Sequence, residues 1–137
     1  MDHARMLSVL ARADAGAIKS FAEELITDLG DIEVLESRTG LVMLPMQDTA
    51  QGVNFHLGEV LMSEAHIRVD EFDGYGMRLG RDLEAAMAMA LVDLAVARGI
   101  ARDACNTFVA DQARAQHDAD EATLRRVEAT RVDMETF

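Results

Sequence analysis

The chain has 137 residues, half of them apolar, which is the size and composition of one folded domain with a modest core. Its formal net charge is −12 and Lys19 is its single lysine, which argues against nucleic-acid binding because that binding depends on clustered cations. Residues 1–10 hold no continuous apolar run, and no stretch reaches the ~18 apolar residues of a membrane span. We therefore expect a cytoplasmic protein without a signal peptide or a membrane anchor.

Two amphipathic helices are predicted at the start of the chain. Apolar residues between positions 6 and 10 predict a short helix over residues 3–12. Apolar residues then recur every three or four positions over residues 15–29, which predicts a second helix. Asp14 is suited to cap its first turn, and Gly30 to end it in a left-handed conformation.

The middle of the chain changes to a strand pattern. Two strands are predicted, at residues 32–34 and 41–44, joined by a turn at residues 37–40. Pro45 ends the second strand or places it on a sheet edge, because proline cannot donate a ladder hydrogen bond. Residues 48–52 are predicted to form a loop.

The clearest alternation of apolar and polar residues follows. It covers residues 53–57 and resumes over residues 65–69, which predicts two strands with one buried and one wetter face. Asp73 and Gly74 predict a tight turn into a last strand at residues 75–79. Short strands with short connections favour an antiparallel meander of about five strands.

The strongest predicted helix covers residues 82–98 and is closed by Gly99. Every residue from 85 to 92 is apolar, and a helix that is apolar nearly all round is buried on more than one side. One side is expected to pack on the meander. The other side needs either the N-terminal helices or another chain.

The last part of the chain alternates acids and arginines with alanine, and large apolar residues are few between 103 and 131. Such a segment has helical propensity but buries little by itself. It is predicted to be an arm that orders against a partner, or else a solvated amphipathic helix on the domain's own surface. The predicted organisation is an α+β domain over 1–102 and a C-terminal helical arm over 103–137.

The histidines and the cysteine give no complete catalytic site. No two of the four histidines have the spacing that places two imidazoles on one helical face. His56 and His66, on different predicted strands, could meet on the polar face of the sheet as a metal or acid–base site, or be ordinary surface histidines. Cys105 has no neighbouring base and is interpreted as a small apolar filler. We expect no catalytic residue, no metal and no cofactor in this chain.

One group of residues suits an anion or a partner protein. Arg78, Gly80, Arg81 and Asp82 lie where the last strand meets the long helix, and a helix N-terminus with two arginines can bind phosphate. Asp82 also fits a simple capping role, with Gly80 allowing a sharp turn. The sequence leaves both interpretations open.

Several short blocks in order along the chain resemble one family, the PhnG subunits of the bacterial carbon–phosphorus (C–P) lyase system. No single block is specific, but their succession and spacing cover nearly the whole chain. The blocks are Arg5–Ala11, Thr39–Val42, Phe55–Glu59, Ala65–Val69, Gly74–Gly76, Leu79–Asp82, Ala90–Asp93 and Thr130–Asp133.

The resemblance implies a role in phosphonate breakdown within a complex of PhnG with PhnH, PhnI and PhnJ subunits. With PhnL also required, that system attaches a phosphonate such as methylphosphonate to C1 of the ribose of ATP and displaces adenine. The product is α-D-ribose 1-methylphosphonate 5-triphosphate, and PhnJ later cleaves the carbon–phosphorus bond. Catalysis is expected on PhnI, so ATP and alkylphosphonate concern this chain only through the complex.

Two other hypotheses remain open at this stage. The chain could be a stand-alone small enzyme or metal-binding domain that uses His56 and His66. It could instead be a purely structural scaffold subunit. The isolated chain is expected to form a homo-oligomer or to carry an unpacked C-terminal arm.

Overall fold

The structure is a computed structural model, which describes the backbone of residues 1–47 and 54–135 and the side chains of residues 1–43 and 58–131. Within these ranges the chain forms four helices and three strands. Their bounds are α1 His3–Ala11, α2 Ala15–Leu29, β1 Glu33–Gln47, β2 Asn54–Val69, β3 Phe72–Leu79, α3 Leu83–Arg98 and α4 Arg102–Glu135.

The predicted helices are confirmed, and their capping residues explain their bounds. The side chain of Asp14 accepts a hydrogen bond from the backbone N–H of Ala17 at the start of α2. Asp82 accepts one from Ala85 at the start of α3, and Gly99 ends that helix in the left-handed conformation. In the described ranges no helix is both long and apolar enough to cross a lipid bilayer.

The sheet is an antiparallel meander in the order β1–β2–β3. The α+β class and the antiparallel arrangement are confirmed, but the prediction of about five strands is wrong, since the described residues form three. Residues 37–40 are not a turn: they lie inside β1, paired with residues 62–65 of β2. The two strands predicted at 53–57 and 65–69 belong to one strand, β2.

These differences arise because β1 and β2 form a two-stranded extension of the sheet, which we call the ribbon. Their pairing continues from Leu41 opposite Leu61 to Gln47 opposite Asn54, beyond the end of β3. In the described part of this extension β1 is exposed on both faces, so burial does not impose an alternating pattern on it. Pro45 lies within β1, which is an edge strand of the described sheet. Of the two alternatives for Pro45, the position on a sheet edge is therefore the one observed. The predicted loop at 48–52 lies outside the described residues.

The turn between β2 and β3 is also displaced from its predicted place. Asp70 and Glu71 form it, and Asp70 adopts a positive φ of 55°, which aspartate tolerates better than most residues. Asp73 and Gly74 lie inside β3 instead. Glycine at position 74 instead allows α3 to approach β3, because a Cβ there would collide with the carbonyl oxygen of Ala90 in α3.

The helix α3 is the centre of the molecule. It lies so close to β3 that a Cβ at Gly76 would also collide with it, at the carbonyl oxygen of Ala86. On its other sides α3 contacts α1, α2 and α4, and the ten residues from Ala85 to Ala95 other than Met87 are all buried. Most of the second apolar side of this helix is therefore covered by its own chain.

Most of α4 lies away from this core. Its first turns contribute Cys105 and Val109 to the core, and Phe108 stacks on Phe21 of α2 with ring centroids 4.6 Å apart. Gln116 of α4 donates a hydrogen bond to the carbonyl of Val9 in α1. Among the described residues, no later residue of α4 is seen to bond to the backbone of α1. Residues 123–131 are exposed.

Candidate functional site

The guanidinium of Arg78 serves the fold in this structure. Its two terminal nitrogens donate 2.7 Å hydrogen bonds to the carbonyl oxygens of Leu10 and Ala13, at the end of α1. These are carbonyls that a helix C-terminus leaves in need of donors. Burial lowers the pKa of Arg78, while the carboxylates of Asp82 and Asp14 oppose that shift.

Asp82 is likewise engaged within the chain. Besides capping α3, it lies 2.8 Å from the ammonium of Lys19 in α2. The hydrogen bond from Lys19, followed by the one from the Ala85 backbone, holds the pKa of Asp82 below its usual range. The sequence anticipated the capping role but not the lysine, because 63 residues separate Lys19 from Asp82.

Gly80 and Arg81 complete the predicted group. Gly80 has a positive φ of 96°, and its carbonyl accepts a 2.6 Å hydrogen bond from the hydroxyl of the buried Ser63. Arg81 is exposed. The structure thus places the four residues together, with Arg78 and Asp82 already bonded to protein groups. A phosphate- or partner-binding role for them stays a prediction.

The two histidines of the alternative hypothesis do not meet. His56 and His66 lie on the same strand, β2, ten positions apart, which at the rise of a strand is about 30 Å. The alternative in which they meet across neighbouring strands does not hold, because residues 54–69 form one strand. His66 lies 3.6 Å from Asp73 and edge-on to Tyr75. Among the described residues no group of three or more His, Cys, Asp or Glu could hold a metal ion.

Cys105 is buried in α4, and its burial raises the pKa of the thiol. A raised pKa reduces the thiolate fraction at neutral pH and so disfavours nucleophilic chemistry. The sulfur lies 3.7 Å from the carbonyl oxygen of Ile100. This environment agrees with the interpretation of Cys105 as a small apolar filler.

One polar cluster was missed by the sequence reasoning. Asp93, buried in α3, accepts a 2.9 Å hydrogen bond from the backbone N–H of Tyr75 in β3. Its other oxygen lies 2.7 Å from Nε2 of His3 in α1. An acid within an otherwise apolar run was the available signal, since a buried carboxylate needs partners. The cluster joins α1, α3 and β3.

Apolar surface, in contrast, is left uncovered in several places. The first is the ribbon, where Leu41, Val42 and Met43 are all exposed. The second is an open groove of about 360 Å³ between α2, α3 and β1. It is lined by Lys19, Ala22, Glu23, Ile26, Ser37, Leu83, Glu84, Met87, Ala88 and Leu91, and we call it the α2–α3 groove. Exposed apolar patches of this kind are typical of protein interfaces.

Comparison with known proteins identifies the family. The family model for phosphonate metabolism protein PhnG matches residues 2–137. The α-D-ribose 1-methylphosphonate 5-triphosphate synthase subunit PhnG of Rhizobium meliloti (strain 1021) is 33% identical over 134 residues, covering 96% of this chain and 85% of that protein. A putative C-P lyase subunit protein, HtxH of Stutzerimonas stutzeri, is 30% identical over 107 residues.

The two relatives differ in how much of their own length is matched. The HtxH alignment covers 69% of this chain but only 29% of HtxH, so the chain corresponds to under a third of that protein. The family match and the Rhizobium meliloti relative both extend over nearly the whole chain. The succession of short motifs that resembles this family is therefore matched by similarity along the full sequence. The chain belongs to the PhnG family of phosphonate metabolism proteins.

Proposed function

We propose that this chain is a subunit of an α-D-ribose 1-methylphosphonate 5-triphosphate synthase complex of the C–P lyase system. The observation that carries the proposal is the similarity to a relative named as that subunit, over 96% of this chain. In the reaction the bond between adenine and C1 of the ribose of ATP breaks. A phosphonate oxygen bonds to that carbon, and adenine leaves.

The geometry of this chain supports an accessory subunit. From the family resemblance we expect catalysis on a PhnI-like partner, with PhnH- and PhnJ-like subunits in the same complex. In the described parts of this chain, Arg78 and Asp82 bond to protein groups, and the two histidines of β2 are far apart. Exposed apolar residues lie on the ribbon instead. A chain that offers surfaces rather than a nucleophile and a base is suited to complete a neighbour's site.

Co-expression with the partner subunits tests the proposal. Adenine release from ATP plus methylphosphonate is measured for the partner subunits with and without this chain. We expect release only when this chain is present. Full release without it would overturn the proposed function.

Substitutions in the ribbon test whether its apolar residues contact the partners. We expect Leu41→Asp with Met43→Asp to abolish co-purification with the partner subunits. The reason is that burial of an unpaired carboxylate in the interface would cost binding free energy. Leu79→Asp is the matched control, since Leu79 is equally apolar and exposed but lies at the end of β3. Equal loss in both variants would argue against a specific role for the ribbon.

A pure scaffold is the second candidate, and the internal bonds of Arg78 and Asp82 favour it over a phosphate-binding contribution. Arg81→Glu discriminates between the two because Arg81 is exposed and its reversal leaves those bonds in place. Unchanged adenine release in the assembled complex would support the scaffold. A raised KM for ATP with unchanged assembly would support the phosphate role.

Two further expectations belong to this proposal. The chain is expected to act in the cytoplasm, where ATP is available. The division into a domain over 1–102 and an arm over 103–137 stays a prediction, and limited proteolysis tests it by locating the first cleavage sites.

A further inference from the structure

The α2–α3 groove exists because one side of the sheet is only partly covered. The glycines of β3 draw α3 over β3 and β2, and the neighbouring space above β1 is left open. The groove floor is apolar, with Met87 and Leu91 of α3, and Ile26 of α2 remains 46% exposed at its rim. A groove between a helix pair and a strand is suited to receive the apolar face of another helix.

The rim of this groove is acidic. Glu23 of α2 and Glu84 of α3 line it, and both are exposed. Lys19 is the one cation among the lining residues, and its ammonium is paired with Asp82 at 2.8 Å. A helix that enters the groove therefore meets uncompensated negative charge.

The exposed end of α4 has the complementary character. Leu124 and Val127 lie one turn apart and are 62% and 59% exposed. Two adjacent cations, Arg125 and Arg126, lie between them in a chain whose formal net charge is −12. We call residues 122–131 the α4 arm.

The α4 arm cannot reach the groove of its own chain. The helix is continuous from Arg102 to Glu135, and an unbroken helix does not fold back on itself. From Glu121 to Glu135 its length is about 21 Å at the rise of an α-helix. The arm lies beyond the ion pair of Asp120 with Arg12, which joins α4 to the end of α1.

We propose that the α4 arm of one copy docks in the α2–α3 groove of a second copy, and the reverse, to form a two-fold dimer. Leu124 and Val127 would fill the apolar floor, and Arg125 and Arg126 would face Glu23 and Glu84. The reciprocal contact uses the same two patches twice, which closes the assembly and prevents further growth. The inference goes beyond the proposed function and does not depend on it.

Sedimentation of the purified full chain tests the proposal without any partner subunit. We expect a dimer at about 100 µM, a concentration that populates even a micromolar interface. Ile26→Glu in the groove or Leu124→Glu in the arm should each raise the dissociation constant at least about tenfold, as expected for central apolar contacts. Leu79→Glu is the control, with no change expected, because Leu79 is exposed but lies outside both patches.

A charge exchange distinguishes this contact from other modes of association. One variant carries Arg125→Glu with Arg126→Glu, and the other carries Glu23→Arg with Glu84→Arg. The proposal requires each variant alone to be a monomer. Mixing the two should restore dimers, because the reversed arm of one variant meets the reversed groove of the other and the remaining arm and groove are native. A single chain with all four changes should also form dimers.

Several results would overturn the proposal. The first is a full chain that is monomeric, and the second is a dimer whose dissociation constant does not change with Ile26→Glu or Leu124→Glu. The third is a variant with all four charge changes that stays monomeric although circular dichroism shows that it is folded. Each result leaves the proposed function intact, since adenine release by the complex is measured separately.

Discussion

At the scale of single residues, the charged groups of this protein hold elements together. Arg78 joins β3 to the end of α1, and Asp93 joins α3 to β3 and α1. Both contacts span many residues of sequence, and both satisfy backbone groups that would otherwise be costly to bury. Their removal should therefore reduce stability and leave any surface chemistry unchanged.

Replacement of Arg78 by methionine should lower the free energy of unfolding by about 1–3 kcal/mol, because two carbonyls lose a charged donor. Arg81→Met is the matched control, with a change within about 0.5 kcal/mol expected for an exposed residue. Urea unfolding followed by circular dichroism measures both. Equal effects of the two substitutions would contradict the structural role of Arg78.

Asp93 offers a comparison of two substitutions at one site. Asp93→Ala should cost about 1–3 kcal/mol because the backbone N–H of Tyr75 loses its acceptor. Asp93→Asn keeps an acceptor oxygen of the same shape and should cost less. Thermal unfolding of the two variants checks the order, and a larger loss for Asp93→Asn would show that the hydrogen bond is not the cause.

The glycines of β3 permit the close approach of α3. Gly76→Ala should destabilise the protein by about 2 kcal/mol or more, because the added methyl collides with the backbone of α3. Gly40→Ala in β1 is the control, since a Cβ there meets nothing within 4 Å. The midpoint of urea unfolding should fall for Gly76→Ala alone.

At the scale of elements, the helices could be predicted closely and the strands could not. The helices α2 and α3 each begin at a capping aspartate and end at a glycine, so local sequence signals mark their bounds. The long β1–β2 pairing has no such signals, because Gly40 and the polar residues around it suit a turn as well as an exposed strand. The three-strand meander therefore depends on pairing between distant residues.

The helix α4 contains two parts that should behave differently. A chain ending at Glu121 should keep its free energy of unfolding within about 1 kcal/mol, because the described side chains at 123–131 are exposed. Val109→Ala should cost about 1–3 kcal/mol, because Val109 belongs to the core. Chemical denaturation at a concentration too low for association measures both. A truncation as costly as Val109→Ala would place the arm within the folding unit.

At the scale of the whole molecule, ion pairs with neighbouring cations stabilise several carboxylates of the acidic surface. Arg68 lowers the pKa of Asp73, Arg12 lowers that of Asp120 and Lys19 lowers that of Asp82. A carboxylate with a lowered folded-state pKa stabilises the fold above its unfolded-state pKa. That contribution is lost as the pH falls through the folded-state pKa.

The Asp82→Asn variant should therefore be less stable than the natural chain at neutral pH and equally stable in acid. The reason is that Lys19 then pairs with a neutral group at either pH. Thermal unfolding from neutral pH down through the range where carboxylates protonate checks this convergence. A difference that persists unchanged into acid would show that the ionised carboxylate of Asp82 is not its cause.

The sequence by itself determined the helices, their caps, the α+β class and the family, because these are encoded in local periodicity and in ordered motifs along the chain. Only the tertiary structure decided the length of the ribbon, the separation of His56 from His66 and the partners of Arg78, Asp82 and Asp93. It also showed that most of α3 is covered by its own chain, and that apolar residues are exposed on the ribbon, in the α2–α3 groove and on the α4 arm. The physical reason is that these features depend on contacts between residues distant in sequence, which a local pattern does not record.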